Sequence, residues 1–212
     1  MTADSIGKLL EPYVGVSGRP SGEWPSGGID WPVIQDKLLI YLELIMKWNA
    51  RINLTAIREP EEIVQRHFGE SLFVGAQLGK CETLMDYGSG AGFPGIPMQL
   101  LRPEVQVTLA ESNRKKAAFL SEVVRSLDLR TEVWAGRVEA MPAEWQFDVV
   151  AIRAVDRMER AVAEAGIRAG NRMLIVGMAS GNYSNLLKGF RMAETVALPG
   201  SSDGALWIAR RI

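Results

Sequence analysis

The 212 residues suit one domain plus an extension and are enough to bury a proper core; at 47% hydrophobic and 23% charged, the composition excludes a disordered chain. With 24 basic and 25 acidic residues the formal charge is −1, so no global field attracts a polyanion, and a nucleic-acid partner has to be held by a local patch. The single cysteine, Cys81, excludes an internal disulfide and a Cys-rich metal site, so no metal is expected and a cytoplasmic setting is.

Residues 1–10 include Asp4 and Lys8 and lack the apolar run of a signal peptide. No stretch approaches the roughly 18 apolar residues of a membrane span. Pro12, Pro20 and Pro25, with glycines and serines around them, predict loop over 12–28, and residues 1–29 are expected as a flexible N-terminal segment. Asp30 can cap a helix that tolerates Pro32 in its first turn. Ile34, Leu38, Tyr41, Leu42, Ile45, Trp48 and Ile52 recur at helical spacing, so this helix ends near 49–53. Pro60-Glu61-Glu62 starts another, carrying Ile63, Val64 and Phe68. A helical extension over 30–78 is therefore expected, packed on one edge of a sheet domain over 79–212.

In that domain strands and helices alternate. Strands are expected at 83–87, 105–110, 132–135, 147–152, 173–177, 194–198 and 205–210, and helices at 95–101, 114–127, 157–167 and 182–188. The last two strands follow each other without a helix, which predicts an antiparallel C-terminal hairpin. A seven-stranded, mostly parallel sheet closed by such a hairpin is the α/β arrangement of class I, Rossmann-like methyltransferases.

Leu84 to Pro97 runs from a strand through Gly88, Gly90 and Gly92 into a helix, and a glycine turn in that place cradles a cofactor. A dinucleotide fold wants G-x-G-x-x-G; here the spacing is G-x-G-x-G and Phe93 stands at the sixth position. Pro94 and Pro97 also remove N–H donors from the opening helix turn, leaving a poor phosphate cradle. S-adenosylmethionine has no phosphate, and the spacing favours it over NAD. Asp86 either orients the turn backbone or meets the cofactor's ammonium group. Glu111 ends the second strand about 20 residues after the turn, where an acidic group accepts from ribose hydroxyls, or it caps the next helix. Arg137-Val138-Glu139 follows the third strand, where an adenine edge would lie, although Glu139 also reads as a solvated loop charge.

Arg153 ends the fourth strand, the tip that faces the reacting atoms. No Asn or Asp before a Pro-Pro pair stands there, and no Cys to attack a pyrimidine ring. A cation suits an acceptor that is already nucleophilic. Guanine N7 has a free lone pair and loses no proton before attack, so the task is positioning, with Arg153 holding base or phosphate. His67, the single histidine, reads as a structural hydrogen-bonding residue ahead of a base. Arg51, Arg58, Arg66, Arg114, Lys115 and Lys116 are candidates for an RNA face, interleaved with acids.

Trp48-Asn49, Asn53-Leu54-Thr55-Ala56-Ile57, Arg66-His67, Glu70-Ser71-Leu72 and Asp86 to Pro97 together resemble the RsmG (GidB) 16S rRNA methyltransferase family. Glu111-Ser112, Lys115-Lys116, Phe119-Leu120, Gly136 to Glu139 and Arg153-Ala154 continue the likeness in order. The resemblance implies methyl transfer from S-adenosylmethionine to N7 of a guanosine in 16S rRNA near the decoding centre. It implies cofactor contacts at Gly88, Phe93, Val138, Glu139 and Arg153. The expected partner is 16S rRNA or the small ribosomal subunit, with the chain a monomer away from membranes. The sequence departs from the family pattern at Glu70, usually Asp, at Gly177, where a Lys-Gly pair is usual, and at 201–206, which lack a basic residue before the last strand. Those departures keep two alternatives open: a methyltransferase acting on another RNA, a protein or a small molecule, and a non-catalytic cofactor-binding assembly factor.

Overall fold

The computed structural model describes residues 1–14, 28, 30–155 and 158–212. Its first helix, α1 (Ala3–Val14), buries Ile6, Leu10, Tyr13 and Val14, so these residues are helical where the sequence predicts a flexible segment. The rest of that predicted loop, at 15–27 and 29, lies outside the described residues. Helix α2 (Trp31–Asn49) starts as expected: Asp30 accepts from the Val33 N–H, and Pro32 sits in the first turn. Its buried face carries Ile34, Leu38, Tyr41, Leu42 and Ile45, and each fully buried apolar side chain contributes roughly 1.5–3 kcal/mol.

Helix α3 (Pro60–Glu62) runs without a break through a π-helical stretch, Ile63–Gly69, into α4 (Glu70–Ala76). The ring of Tyr13 packs so closely on this run that a Cβ at Gly69 would lie 2.5 Å from it.

The sheet domain follows as β1 (Thr83–Tyr87), α5 (Gly95–Leu101), β2 (Gln106–Ala110), α6 (Arg114–Ser126), β3 (Thr131–Trp134), β4 (Phe147–Arg153), α7 (Met158–Arg168), β5 (Ala169–Met178), β6 (Phe190–Ala197) and β7 (Gly204–Arg211). The strand order is β3-β2-β1-β4-β5-β7-β6. Strands β1 to β5 run parallel, and β7 is antiparallel to both β5 and β6. The predicted sheet and its C-terminal hairpin are both present. The helix expected over 182–188 is a single 3-10 turn, Ser184–Leu186, in a segment rich in Asn and Ser, whose side chains compete for backbone hydrogen bonds.

Alternate side chains of each strand point to opposite faces. Leu84 joins the core beneath α2, α4, α5 and α6, while Met85 and Tyr87 join the one beneath α7. The helical extension meets the sheet domain through α5 and α6, the helix layer of one face, where the sequence reading put it at an edge. Register then positions the site. Tyr87 pairs with Ala110 on one side and Ile152 on the other, so Gly88, Glu111 and Arg153 leave the sheet at one level. Among the described residues no helix is long and apolar enough to cross a membrane.

Candidate functional site

A cleft of about 690 Å³ lies across the C-terminal strand ends, within the size range of small-molecule sites. It is lined by Gly88, Ser89, Gly90, Ala91 and Phe93 from the turn, Glu111 after β2, Val138 and Glu139 after β3, and Arg153 at the tip of β4. Gly92 does not line it. A Cβ there would strike Ile96 Cδ1 at 2.4 Å and the Tyr41 hydroxyl at 2.6 Å, so Gly92 serves the packing beneath the turn, and its φ of 95° excludes most other residues. Gly90 is the opposite case. Its φ is 57°, yet a Cβ would meet nothing nearer than the Gly88 carbonyl at 3.8 Å. The turn leaves open space at Gly90, as a cradle for a bound cofactor requires.

Three side chains set the shape of this turn. The Tyr41 hydroxyl, from α2, donates to the Ala91 carbonyl. Asp86 Oδ2 accepts from the Gly95 N–H at 3.0 Å. Glu111 Oε2 accepts from the Gly90 N–H at 2.9 Å, and its Oε1 accepts from the Asn113 N–H at 2.7 Å. Glu111 therefore ties the turn to the start of α6. Each carboxylate oxygen still has lone-pair capacity for a hydroxyl donor in the cleft. Of the two readings of Asp86, the backbone one is visible. It is fully buried, its Oδ1 has no hydrogen-bond partner among the described residues, and burial pushes its carboxyl up to about 7.

At the β3 end, Val138 is buried at the start of a 3-10 turn, Val138–Ala140, and its carbonyl accepts from Arg168. Glu139 is an exposed charge at the cleft rim, where Arg160 of α7 pairs with it at 3.2 Å and with Glu164 at 2.6 Å.

At the β4 end the structure changes the reading of Arg153. Its Nη2 donates to Glu70 Oε2 at 2.6 Å and to the Arg66 carbonyl at 2.7 Å, and its Nη1 to Ser71 Oγ at 3.3 Å. The sequence reading gave this guanidinium a base or phosphate to hold; here it joins the sheet to the π-helical run. Nη2 also stands 3.4 Å from His67 Nδ1. The His67 ring stacks on Phe93 with centroids 4.5 Å apart, and its Nε2 lies 2.7 Å from Thr55 Oγ1. Burial, with Arg153 and Arg66 close by, holds the imidazole down to about 3, so it is neutral at physiological pH. Thr55 and Leu54 also line the cleft and were given no role in the sequence reading beyond marking the family. Asn49 anchors this loop: its Oδ1 accepts from the N–H groups of Leu54 and Thr55, and its Nδ2 donates to the Thr55 carbonyl.

The candidate RNA cations separate into two groups. Arg58 is engaged with the Asn49 carbonyl and Asn53 Oδ1, and Arg66 with Glu70. Arg51, Arg114 and Lys115 instead gather around a second groove floored by Trp48, Ile52 and Ala118, together with Lys47, which pairs with Glu122 at 3.6 Å, and Lys116 lines the main cleft. At Gly177 a Cβ would lie 2.4 Å from the Tyr183 hydroxyl, so Tyr183 covers the place where a larger side chain would stand. Among the described residues no group of three or more His, Cys, Asp and Glu is placed to hold a metal ion.

A sequence model of the family described as rRNA small subunit methyltransferase G (GidB) matches residues 34–178. Over 125 residues the chain is 50% identical to the ribosomal RNA small subunit methyltransferase G of Nitrosomonas europaea, covering 58% of each chain. Over 140 residues it is 42% identical to the protein of that name from Xanthomonas euvesicatoria pv. vesicatoria, covering 65% of this chain and 66% of the other. The matched stretches thus span less than two thirds of these relatives' own length. Among solved structures, M. jannaschii TYW2 in complex with AdoMet superposes with a TM-score of 0.58 at 15% identity, over 77% of this chain and 80% of that one, a likeness of fold.

Proposed function

We propose a function for this chain, which belongs to the rRNA small subunit methyltransferase G family. It transfers the methyl group of S-adenosylmethionine to N7 of a guanosine in 16S rRNA near the decoding centre, as a monomer in the cytoplasm. The observation that carries this reading is the cleft at the aligned tips of β1, β2 and β4, with an open glycine turn at its centre and, among the described residues, no group poised as a general base at its β4 end. His67 there is neutral, stacked on Phe93, bonded to Thr55 through Nε2 and faced by the Arg153 cation at Nδ1, and is not poised to take a proton. N7 of guanine has no proton to lose, so its methylation requires no base.

The cofactor supplies an electrophilic methyl group on a sulfonium. The chain's residues supply the geometry. Gly88 and Gly90 would give the methionine end of the cofactor close approach to the backbone, Glu111 would accept from its ribose hydroxyls, and Val138 and Glu139 would hold its adenine. Phe93, held between His67 and Tyr41, walls the cleft beside the reacting atoms. Arg153 keeps the π-helical run and its His67 against that wall, and acts on the acceptor through them. The groove of Arg51, Arg114 and Lys115, with Lys47 shared with Glu122, supplies the local positive patch that the net charge does not, and is proposed to hold RNA phosphates.

The test is incorporation of labelled methyl from S-adenosylmethionine into small subunits taken from a strain lacking the gene. Label in 16S rRNA is the expected result. Label only in another RNA, a protein or a small molecule sinks the proposed acceptor, and cofactor binding with no transfer to any acceptor sinks the enzyme.

A further inference from the structure

A threonine hydroxyl has one proton and two acceptor lone pairs, and ordinarily serves a donor or an acceptor equally well. The hydroxyl of Thr55 is restricted by its neighbours. Its Oγ1 accepts from the Ile57 N–H at 3.1 Å and lies 2.7 Å from His67 Nε2. The far side of the imidazole gives the direction of that second bond. Nδ1 faces the Arg153 guanidinium at 3.4 Å; the two Nη2 hydrogens go to Glu70 and the Arg66 carbonyl, and the positive charge disfavours a further N–H pointing at it, so Nδ1 presents its lone pair and the ring proton is on Nε2. Nε2–H then donates to Oγ1. Both lone pairs of the hydroxyl are thereby used, its hydrogen remains, and no acceptor for that hydrogen stands among the described residues. Asn49 fixes the Thr55 backbone on both its N–H and its carbonyl, so the group has little freedom to turn away. Thr55 lines the cleft at its β4 end, beside His67, Phe93 and Arg153.

A purine offers two different edges to such a group. Guanine presents N7 and O6, both acceptors, whereas adenine presents N7 beside an N6 amino donor. We propose that Thr55 is a specificity-determining residue that donates a hydrogen bond to O6 of the acceptor guanine while N7 takes the methyl group. The inference rests on the guanosine-N7 reading above. A donor-only hydroxyl pairs with O6 and meets an adenine amino group donor to donor, so it both selects guanine and rejects adenine. The discrimination needs no charge and no base. It follows from the Arg153 charge setting the His67 tautomer and His67 Nε2–H setting the direction of the Thr55 hydroxyl.

The experiment compares wild type, Thr55→Val and Thr55→Ser on small subunits reconstituted with 16S rRNA carrying either guanosine or 2-aminopurine riboside at the acceptor position. 2-Aminopurine keeps N7 and lacks O6. The swap alters the ring's own nucleophilicity equally for every variant, so the ratio of the two kcat/KM values isolates the contact. The expected guanosine preference of wild type exceeds that of Thr55→Val by roughly 10- to 100-fold, the cost of an unmade buried hydrogen bond. Thr55→Ser keeps the preference, and S-adenosylmethionine affinity measured by calorimetry stays the same in Thr55→Val. A Thr55→Val variant that retains the wild-type preference overturns the proposal. So does one whose cofactor affinity and guanosine turnover fall together with the preference unchanged, because that is a structural loss. Wild-type chain that methylates no guanosine at N7 overturns the function itself, and this inference with it.

Discussion

Glu70 and Arg153 are 4% and 12% exposed at their side chains and 2.6 Å apart, and removing one leaves the other charged in a poorly solvated place. The two losses are not symmetric. Glu70 has a second partner in Arg66, whereas Arg153 makes no second ion pair among the described residues, Asp86 acting on it only at longer range. Glu70→Ala is therefore expected to cost about 3–5 kcal/mol, and Arg153→Ala less, as read from urea denaturation midpoints. Equal losses would contradict this order. His67 adds a pH signature. Its folded-state value near 3 lies below the unfolded value of about 6.5, so the unfolded chain gains a proton that the folded chain refuses. The stability is fully present above about pH 6.5 and declines as pH falls toward 3, by at most about 1.4 kcal/mol per pH unit from this group. The stability difference between wild type and His67→Gln should shrink as pH is lowered from 7 to 4; a constant difference would mean that His67 is not held neutral by burial. Glu111 was legible from its spacing to the turn, because that distance is set locally by one βα unit. The partners of Arg153 were not, because Glu70 lies 83 residues away and only the folded extension brings it there.

The turn between β1 and α5 was the most legible element, since glycine spacing and the two prolines are constraints of the local backbone. What the sequence did not separate is the work of its glycines. Gly92 makes room for Ile96 and Tyr41 beneath the turn, while Gly90 keeps the cleft open above it. A Gly90→Val chain has room for its side chain among the protein atoms, so it is expected to fold at a modest cost from the positive φ and to bind S-adenosylmethionine roughly 10-fold or more weakly. Calorimetric affinity equal to wild type would remove the turn from the cofactor site. The strands were readable from apolar runs bounded by turn residues, and their ends moved by a few residues once pairing was visible. The π-helical stretch was not readable, because Ile63, Val64 and Phe68 fit an ordinary helix equally well. Helix α1 was overlooked for a related reason: Ile6, Leu10, Tyr13 and Val14 are helically spaced, but Pro12 and the loop-forming residues after it drew the boundary too early.

Across the whole molecule, a net charge of −1 coexists with a groove carrying Lys47, Arg51, Arg114 and Lys115, so attraction to a polyanion is local to one side of the helix layer. That groove is built where the end of α2 meets the start of α6, and Lys116 joins it to the main cleft. The fold class followed from the order of strands and helices alone, because alternating βα units have few ways to pack. The docking of the extension on α5 and α6 depended on contacts between distant segments and became visible only in the folded chain. The central claim is the acceptor atom. The most direct measurement is mass spectrometry of nuclease-digested 16S rRNA from small subunits of a deletion strain, before and after incubation with the purified chain and S-adenosylmethionine. A single added methyl on one guanosine, labile as a 7-methylguanosine is, is the expected result; a methyl on any other atom, or none, rules out N7 of guanosine as the acceptor.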